Sequence, residues 1–303
     1  MKILISGGNG MVGTNLIKHL SSDDHHILSP SSSELNLLHK DAVNSYLKEN
    51  KPDVVIHCAG LVGGIVMNIN NQALSLHNNT VMGLNLINAS KENGIKKFVN
   101  LGSSCMYPKD LNNELRIEDL LSGKLEPTNE GYAISKILIW KYLKHISDND
   151  FVGKTIIPCN LYGPYDNFDP INAHLIPAAI VKAHNAKDKD QKIEIWGKGE
   201  VKREFLFVED LANFIKIFLN NFDSMPTECN LGAEEDYTVL EFYEKICDTV
   251  GIQKNFVFLS EKPTGMKRKK LHIDFQESIN WKPKFNLEQG LSKTYEFYKK
   301  TIK

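Results

Sequence analysis

Tyr132 and Lys136 stand four residues apart, a spacing that brings both side chains to one face of a helix. That is the geometry of an acid–base pair. A lysine ammonium lowers a neighbouring phenol below its free pKa of about 10, so the phenolic oxygen can exchange a proton with a carbonyl or an alkoxide near neutral pH. The pattern alone has little specificity, because most such pairs are exposed helix residues. Its surroundings supply what it lacks. Upstream, the apolar run at 98–101 delivers Gly102-Ser103-Ser104-Cys105-Met106-Tyr107-Pro108, and hydroxyls at the end of a strand can orient a carbonyl. With a dinucleotide loop at the start of the chain, these features describe a ketoreductase.

The elements that must hold these groups are readable. Lys2–Ser6 reads as a buried parallel strand, followed by Gly7-Gly8-Asn9-Gly10-Met11-Val12-Gly13 and a helical pattern. In that glycine spacing Gly7 serves the tight turn, Gly10 the approach of backbone to a pyrophosphate and Gly13 close helix–strand packing. Amides at the helix start would hold the phosphates. Strand patterns at 26–28, 53–58 and 98–101 alternate with helical ones at 40–50, 70–93 and 132–147, and a further strand follows at 154–158. Such alternation predicts an α/β fold, a doubly wound parallel sheet of Rossmann type. Beyond about residue 160 the pattern becomes irregular, with helices expected at 177–186 and 241–250 and a strand at 192–196. Residues 1–160 are therefore read as a dinucleotide-binding domain and 161–303 as mainly a smaller substrate-binding lobe. The lobe is expected to interleave with the last elements of the sheet, since 207–212 looks like a strand running into a helix.

Composition excludes several classes. Lys and Arg number 36 against 37 Asp and Glu in 303 residues, which leaves no electrostatic footprint for nucleic acid, and Lys267-Arg268-Lys269-Lys270 reads as a solvated loop. No signal segment and no apolar run long enough to span a bilayer is found, so a cytoplasmic protein is expected. Cys58, Cys105, Cys159, Cys229 and Cys247 are an odd, scattered set without CxxC spacing, which argues for reduced thiols and against a disulfide framework or a metal site.

The motifs, taken together, resemble those of the extended short-chain dehydrogenase/reductases, and within them the GDP-L-fucose synthase family. The likeness spans nearly the whole chain. It is carried by Gly10-Met11-Val12-Gly13, Cys58-Ala59-Gly60, Val62-Gly63-Gly64-Ile65, Leu101 to Lys109, Leu125-Glu126-Pro127-Thr128-Asn129-Glu130 and Asn160-Leu161-Tyr162-Gly163-Pro164. Asp166-Asn167-Phe168 with His174, Trp196-Gly197-Lys198-Gly199 and Arg203-Glu204-Phe205-Leu206 complete it. The resemblance implies reduction at C4 of a GDP-4-keto-6-deoxy sugar by NADPH, with epimerisation at C3 and C5, in a homodimer. It makes Tyr132 the proton donor, Lys136 the holder of the nicotinamide ribose and Ser103 the carbonyl's hydrogen-bond partner. Cys105 and His174 would perform the epimerase proton transfers. Their chemistry fits: protons alpha to a ketone exchange through an enolate, and thiol and imidazole both titrate near physiological pH. Ser103 and Cys105, two apart in an extended segment, would point to one side. Gly7, Gly10, Met11, Val12 and Ala59 would meet the coenzyme. Asn160, Trp196, Arg203 and Lys269 would meet the substrate, the arginine forking onto diphosphate oxygens. Trp196 has a rival reading as an ordinary core aromatic.

Two departures stand out. Where the family has arginines for the 2′-phosphate of NADPH, this chain has Asn9 and Pro30-Ser31-Ser32-Ser33. Equally, no acid directly follows Ile27-Leu28 to bind an NAD ribose. Ser31 and Ser32 are expected to take the phosphate, so NADPH is expected with weak discrimination against NADH. In the substrate lobe, Tyr165, Asp169 and Ile171 differ from what a mannose-derived ring would meet, which admits a GDP-4-keto-6-deoxy-heptose, already epimerised elsewhere, in capsule or surface-polysaccharide synthesis. Two other readings share the fold: a dehydratase or 4-epimerase retaining NAD, and a non-catalytic dinucleotide sensor, against which Tyr132 with Lys136 argues.

Overall fold

A computed structural model describes residues 1–21, 23–187 and 191–302. Along the chain β1 (Lys2–Ser6), α1 (Met11–Leu20), β2 (His26–Leu28), α2 (Lys40–Asn50), β3 (Val54–His57), α3 (Ile65–Asn70), α4 (Gln72–Glu92) and β4 (Lys97–Leu101) come first. Then follow α5 (Glu130–Ile146), β5 (Val152–Pro158), β6 (Asn160–Tyr162), α6 (Leu175–Ala186), β7 (Ile193–Trp196), β8 (Lys202–Phe207), α7 (Val208–Asn220) and β9 (Glu228–Leu231). The chain closes with β10 (Asp236–Thr238), α8 (Val239–Val250), β11 (Phe256–Leu259), β12 (Arg268–Lys269), α9 (Asp274–Ser278) and α10 (Leu287–Thr301).

Six strands form one parallel sheet in the order β2-β1-β3-β4-β5-β9. Ile3, Leu4, Ile5, Val55, Ile56, Phe98, Val99 and Ile156 are fully buried in it, the continuous apolar runs that a sheet covered on both faces demands. The strand order reverses between β1 and β3, and in such sheets ligands bind at that switch point beyond the carboxyl ends of the strands. The ends of β1, β3, β4 and β5 therefore fix where chemistry can happen. The second sheet runs β10-β8-β12, with β6 also on β8, and β7 pairs with β11. The 207–212 segment does run from strand to helix, at Phe207/Val208. Its strand lies in the second sheet, while β9 supplies the sixth strand of the first.

The helix expected over 70–93 is α4, and the short α3, which was not expected, precedes it; the two meet at Asn71, whose φ of −127° leaves the helical region. The Asn71 amide donates to Met67 O and its carbonyl accepts from Ser75 N, so one polar side chain ends α3 as its backbone starts α4. No helix among the described residues is long and apolar enough to cross a membrane.

Candidate active site

The glycine loop is built by close approach. Gly7 has φ +74°, and a Cβ there would lie 2.8 Å from the Ala59 backbone; one on Gly13 would lie 2.2 Å from Gly7 O. At Gly10 the nearest atom is Gly7 O at 3.4 Å, so its outer side stays open at the N-terminus of α1, where no acid occupies the first turn. That concave, amide-lined start fits a dinucleotide's pyrophosphate. Ser6 Oγ accepts from Ala59 N and pairs with His57 Nδ1 at 2.8 Å, tying the ends of β1 and β3 together beneath the loop.

The expected tyrosine and lysine sit on α5. Gln72 at the start of α4 pins that helix, accepting from Gly131 N at 2.8 Å and donating to Pro127 O at 2.7 Å. A side chain at 131 would meet Gln72 O at 2.4 Å, so glycine lets the two helix starts touch. Lys136 Nζ reaches Leu101 O at 2.8 Å, at the end of β4, and lies 5.8 Å from the Tyr132 ring centroid. The expected electrostatics differ from the structure in one respect. Burial raises the Tyr132 pKa above the ordinary phenol value, as does Cys105, and the Ser103 hydroxyl only partly offsets this. Lys136 is not among the causes, and burial drops its own pKa to about 8. Desolvation outweighs the lysine's charge. The phenol therefore stays protonated at neutral pH, which suits a proton donor.

Ser103 and Cys105 do share the cavity, but not through an extended segment. Ser104–Met106 is a turn of 3₁₀ helix, and Ser103 Oγ caps it by accepting from Cys105 N at 3.2 Å. The Cys105 sulfur receives two donors, Asn129 Nδ2 at 3.1 Å and Lys269 Nζ at 3.5 Å. His174 caps α6 with extended backbone; burial, then Lys269, hold its pKa below the usual 6.5.

One cavity of about 420 Å³ gathers Ser103, Cys105, Tyr132, Lys136, His174, Asn160, Trp196, Arg203 and Lys269 with Met11 and Val12. Trp196 lies on the cavity wall at the end of β7 rather than in the core, and Lys262 Nζ stands 5.8 Å from its ring. Arg203 donates to Lys202 O, Met266 O and Thr264 O, three of its five donors, and burial lowers its pKa to about 10. Asn160 Nδ2 donates to Glu204 O at 2.9 Å.

The model of the NAD dependent epimerase/dehydratase family matches residues 3–232. The chain belongs to that family. It is 48% identical over 301 residues to the GDP-L-colitose synthase of Yersinia pseudotuberculosis, covering 98% of each chain. With the GDP-L-fucose synthase of Azorhizobium caulinodans it shares 40% over 299 residues, covering 98% of this chain and 96% of that one. Among solved structures, MlghC, a GDP-mannoheptose C4 reductase from Campylobacter jejuni with NADP bound, superposes with a TM-score of 0.89 at 29% identity, covering 98% of each chain. The likeness to GDP-L-fucose synthases implied by the motifs thus holds along the whole length.

Within this family member, some expected residues lie away from the cavity. Ser31 is committed elsewhere: its N–H and its hydroxyl each donate to Glu34 at 2.7 Å. Those bonds, the backbone one first, hold the Glu34 carboxyl below its usual range. A carboxylate has taken the donors expected to meet a phosphate, and Ser32 is left exposed. Of the three unusual lobe residues only Ile171 lines the cavity. Tyr165 packs against Phe297 with ring centroids 4.5 Å apart and the planes tilted by 53°, and Asp169 accepts from Ile171 N and Asn172 N within its own loop.

Among the polar cavity residues that sequence reasoning did not name as site residues are Glu126, Asn129 and Lys182. Lys182 stands on α6 beside buried Ile180, Val181 and Ala183, and burial lowers its pKa while Glu194 pulls it up. A lone lysine at the end of the apolar run 175–181 was its signal.

Proposed function

We propose that this chain uses NADPH to reduce the C4 ketone of a GDP-linked 4-keto-6-deoxy sugar and inverts C3 and C5 beforehand. The observation that carries this reading is the single cavity holding a protonated, buried Tyr132 together with Cys105 and His174. NADPH supplies the hydride when bound, held at the glycine loop and by Lys136. Tyr132 donates its phenolic proton to the C4 oxygen while the Ser103 hydroxyl orients that oxygen. Cys105 and His174 take and return the protons alpha to the ketone. Arg203, Lys269 and Lys182 supply positive charge for a diphosphate, and Trp196 an aromatic face for the ligand. Conversion of GDP-4-keto-6-deoxy-mannose to GDP-L-fucose, followed by NADPH oxidation and product NMR, tests it; a GDP-4-keto-6-deoxy-heptose is the second substrate to assay. Turnover of the heptose alone, with no change at C3 or C5, would replace the proposal by a reductase acting after a separate epimerase. Five unpaired cysteines suit the reducing cytoplasm, where precursors of capsule and other surface polysaccharides are made.

Coenzyme choice follows from the serines. Ser32 and Ser33 can donate hydrogen bonds to a 2′-phosphate but bring no cation, and a hydrogen bond to a charged group contributes about 1.5–3 kcal/mol. We expect kcat/KM for NADPH to exceed that for NADH by about tenfold. Faster turnover with NADH would show that Glu34 governs this end of the site.

We infer a homodimer through α4 and α5. Ile134 and Leu138 share a face of α5 and are 38% and 36% exposed, and Leu74 on neighbouring α4 is 50% exposed. A second copy bringing the same face would cover all three, as a two-fold interface does. Leu138→Asp is expected to turn a dimer into a monomer in light scattering; a monomeric unsubstituted chain would refute the dimer.

A further inference from the structure

His174 is reached through residues 163–173, which link β6 to α6 and are fastened at both ends to the coenzyme-binding half. At the start, Asn15 Nδ2 on α1 donates to Pro164 O at 2.9 Å while also holding Met11 O at 2.8 Å. Lys18, on the same helix, bonds the Tyr165 hydroxyl and lies 4.3 Å from its ring centroid. Tyr165 has φ +69°, a left-handed backbone that a tyrosine adopts only when its surroundings enforce it. At the far end Gly64 N donates to Asn172 O at 2.8 Å. A Cβ on Gly64 would stand 2.3 Å from Ala173 O, and one on Gly63 would stand 2.9 Å from Met67 Cγ and 3.2 Å from Asn172 O. The two glycines are not equivalent. A methionine side chain can turn away, whereas the carbonyl of Ala173 can retreat only by moving the peptide that leads into His174. Gly64 has φ −65°, so close approach and not backbone freedom requires glycine there.

We propose that residues 163–173 are a strap by which the coenzyme-binding half positions His174, and that backbone contact at Gly64 sets how deep the imidazole reaches toward the substrate. The inference rests on the reading of Cys105 and His174 as a proton-transfer pair. Gly64 is thus a positioning residue, one whose change alters exchange at C3 and C5 more than hydride transfer at C4, because Tyr132 and Ser103 hang from α5 and β4 instead.

The test compares Gly64→Ala, Gly63→Ala and His174→Gln in two assays: deuterium uptake from heavy water into GDP-4-keto-6-deoxy-mannose, and C4 oxidation of GDP-L-fucose by NADP⁺. Misplacing a reacting group by about 1 Å costs on the order of 100-fold, so Gly64→Ala is expected to lose exchange by tenfold to 100-fold and C4 oxidation by less than about threefold. Gly63→Ala should stay within about threefold in both, since its closest contact is the flexible Met67 side chain and the Asn172 carbonyl, at 3.2 Å, needs to give far less than Ala173 O at 2.3 Å does for Gly64→Ala. Should Gly64→Ala not fold, Tyr165→Phe keeps the ring packing, removes the hydroxyl tether and should reduce exchange severalfold more than C4 oxidation. Equal losses in the two assays, or undiminished exchange in the folded strap variants, would overturn the strap. Full exchange in His174→Gln would overturn the pair itself and the strap's role with it.

Discussion

Tyr132→Phe is expected to lower C4 reduction by about 10²- to 10⁴-fold, the usual contribution of a positioned general acid, while leaving NADPH binding within a factor of two to three of the unsubstituted chain. The ring stays, so its packing stays; only the proton is lost. Tyr132 is 9% exposed, and burial keeps its hydroxyl protonated well above neutral pH, so the acid form is present wherever the enzyme is assayed. The pH limit therefore falls on Lys136. Its pKa of about 8 means that its charge is present below pH 8 and lost as pH rises through that value, and with it the charge-assisted bond to a ribose hydroxyl. KM for NADPH should rise above pH 8 while the Tyr132 proton remains available. Stopped-flow NADPH oxidation against pH, paired with equilibrium coenzyme titration of Tyr132→Phe, checks both points. Turnover near the unsubstituted rate in that variant would refute the acid assignment.

Legibility in the sequence followed the range of the interaction. Lys2–Ser6 with its glycines, and the strand runs near Val54 and Phe98, could be read because burial on both faces imposes an unbroken apolar run, and Gly7 and Gly13 mark places where backbone touches backbone. Local polar substitutions for backbone bonds were harder. Ser103 turns an expected extended segment into a 3₁₀ turn, since a side chain that bonds its own backbone competes with regular structure. Ser31-x-x-Glu34 had a signature, the serine-to-glutamate spacing of a capping box, and in the fold Ser31 donates both its N–H and its hydroxyl to Glu34. The contacts that Asn129, Lys182 and Gly64 make had none. Their neighbours are Cys105, Glu194 and Ala173, contacts made only once separate elements meet. The balance of charge and burial at Tyr132 was equally out of reach, because desolvation is a property of the fold.

Cys105→Ser and His174→Gln are each expected to abolish deuterium exchange at C3 and C5, with losses of at least about 100-fold for removal of a proton-transfer group, while C4 oxidation of an epimerised product falls far less. The structure strengthens the motive for this expectation. A buried thiol with no task would sit among apolar neighbours, as Cys247 does beside Tyr243 and Ile246; Cys105 instead accepts from Asn129 and Lys269 inside the cavity. His174, with its pKa held below 6.5 by burial and Lys269, is uncharged at neutral pH and can accept a proton as well as return one. Serine keeps the hydrogen bonds to Asn129 and Lys269 but holds its proton far more tightly, so Cys105→Ser separates shape from acidity. NMR of a GDP-4-keto-6-deoxy sugar in heavy water reads exchange at each carbon separately. Loss at one carbon in Cys105→Ser and at the other in His174→Gln would divide the labour between them. Exchange persisting at both carbons in both variants would assign the proton transfers to other groups, whereas C4 reduction of a competent substrate by the unsubstituted chain without any exchange would leave a reductase only, with Cys105 and His174 as substrate contacts.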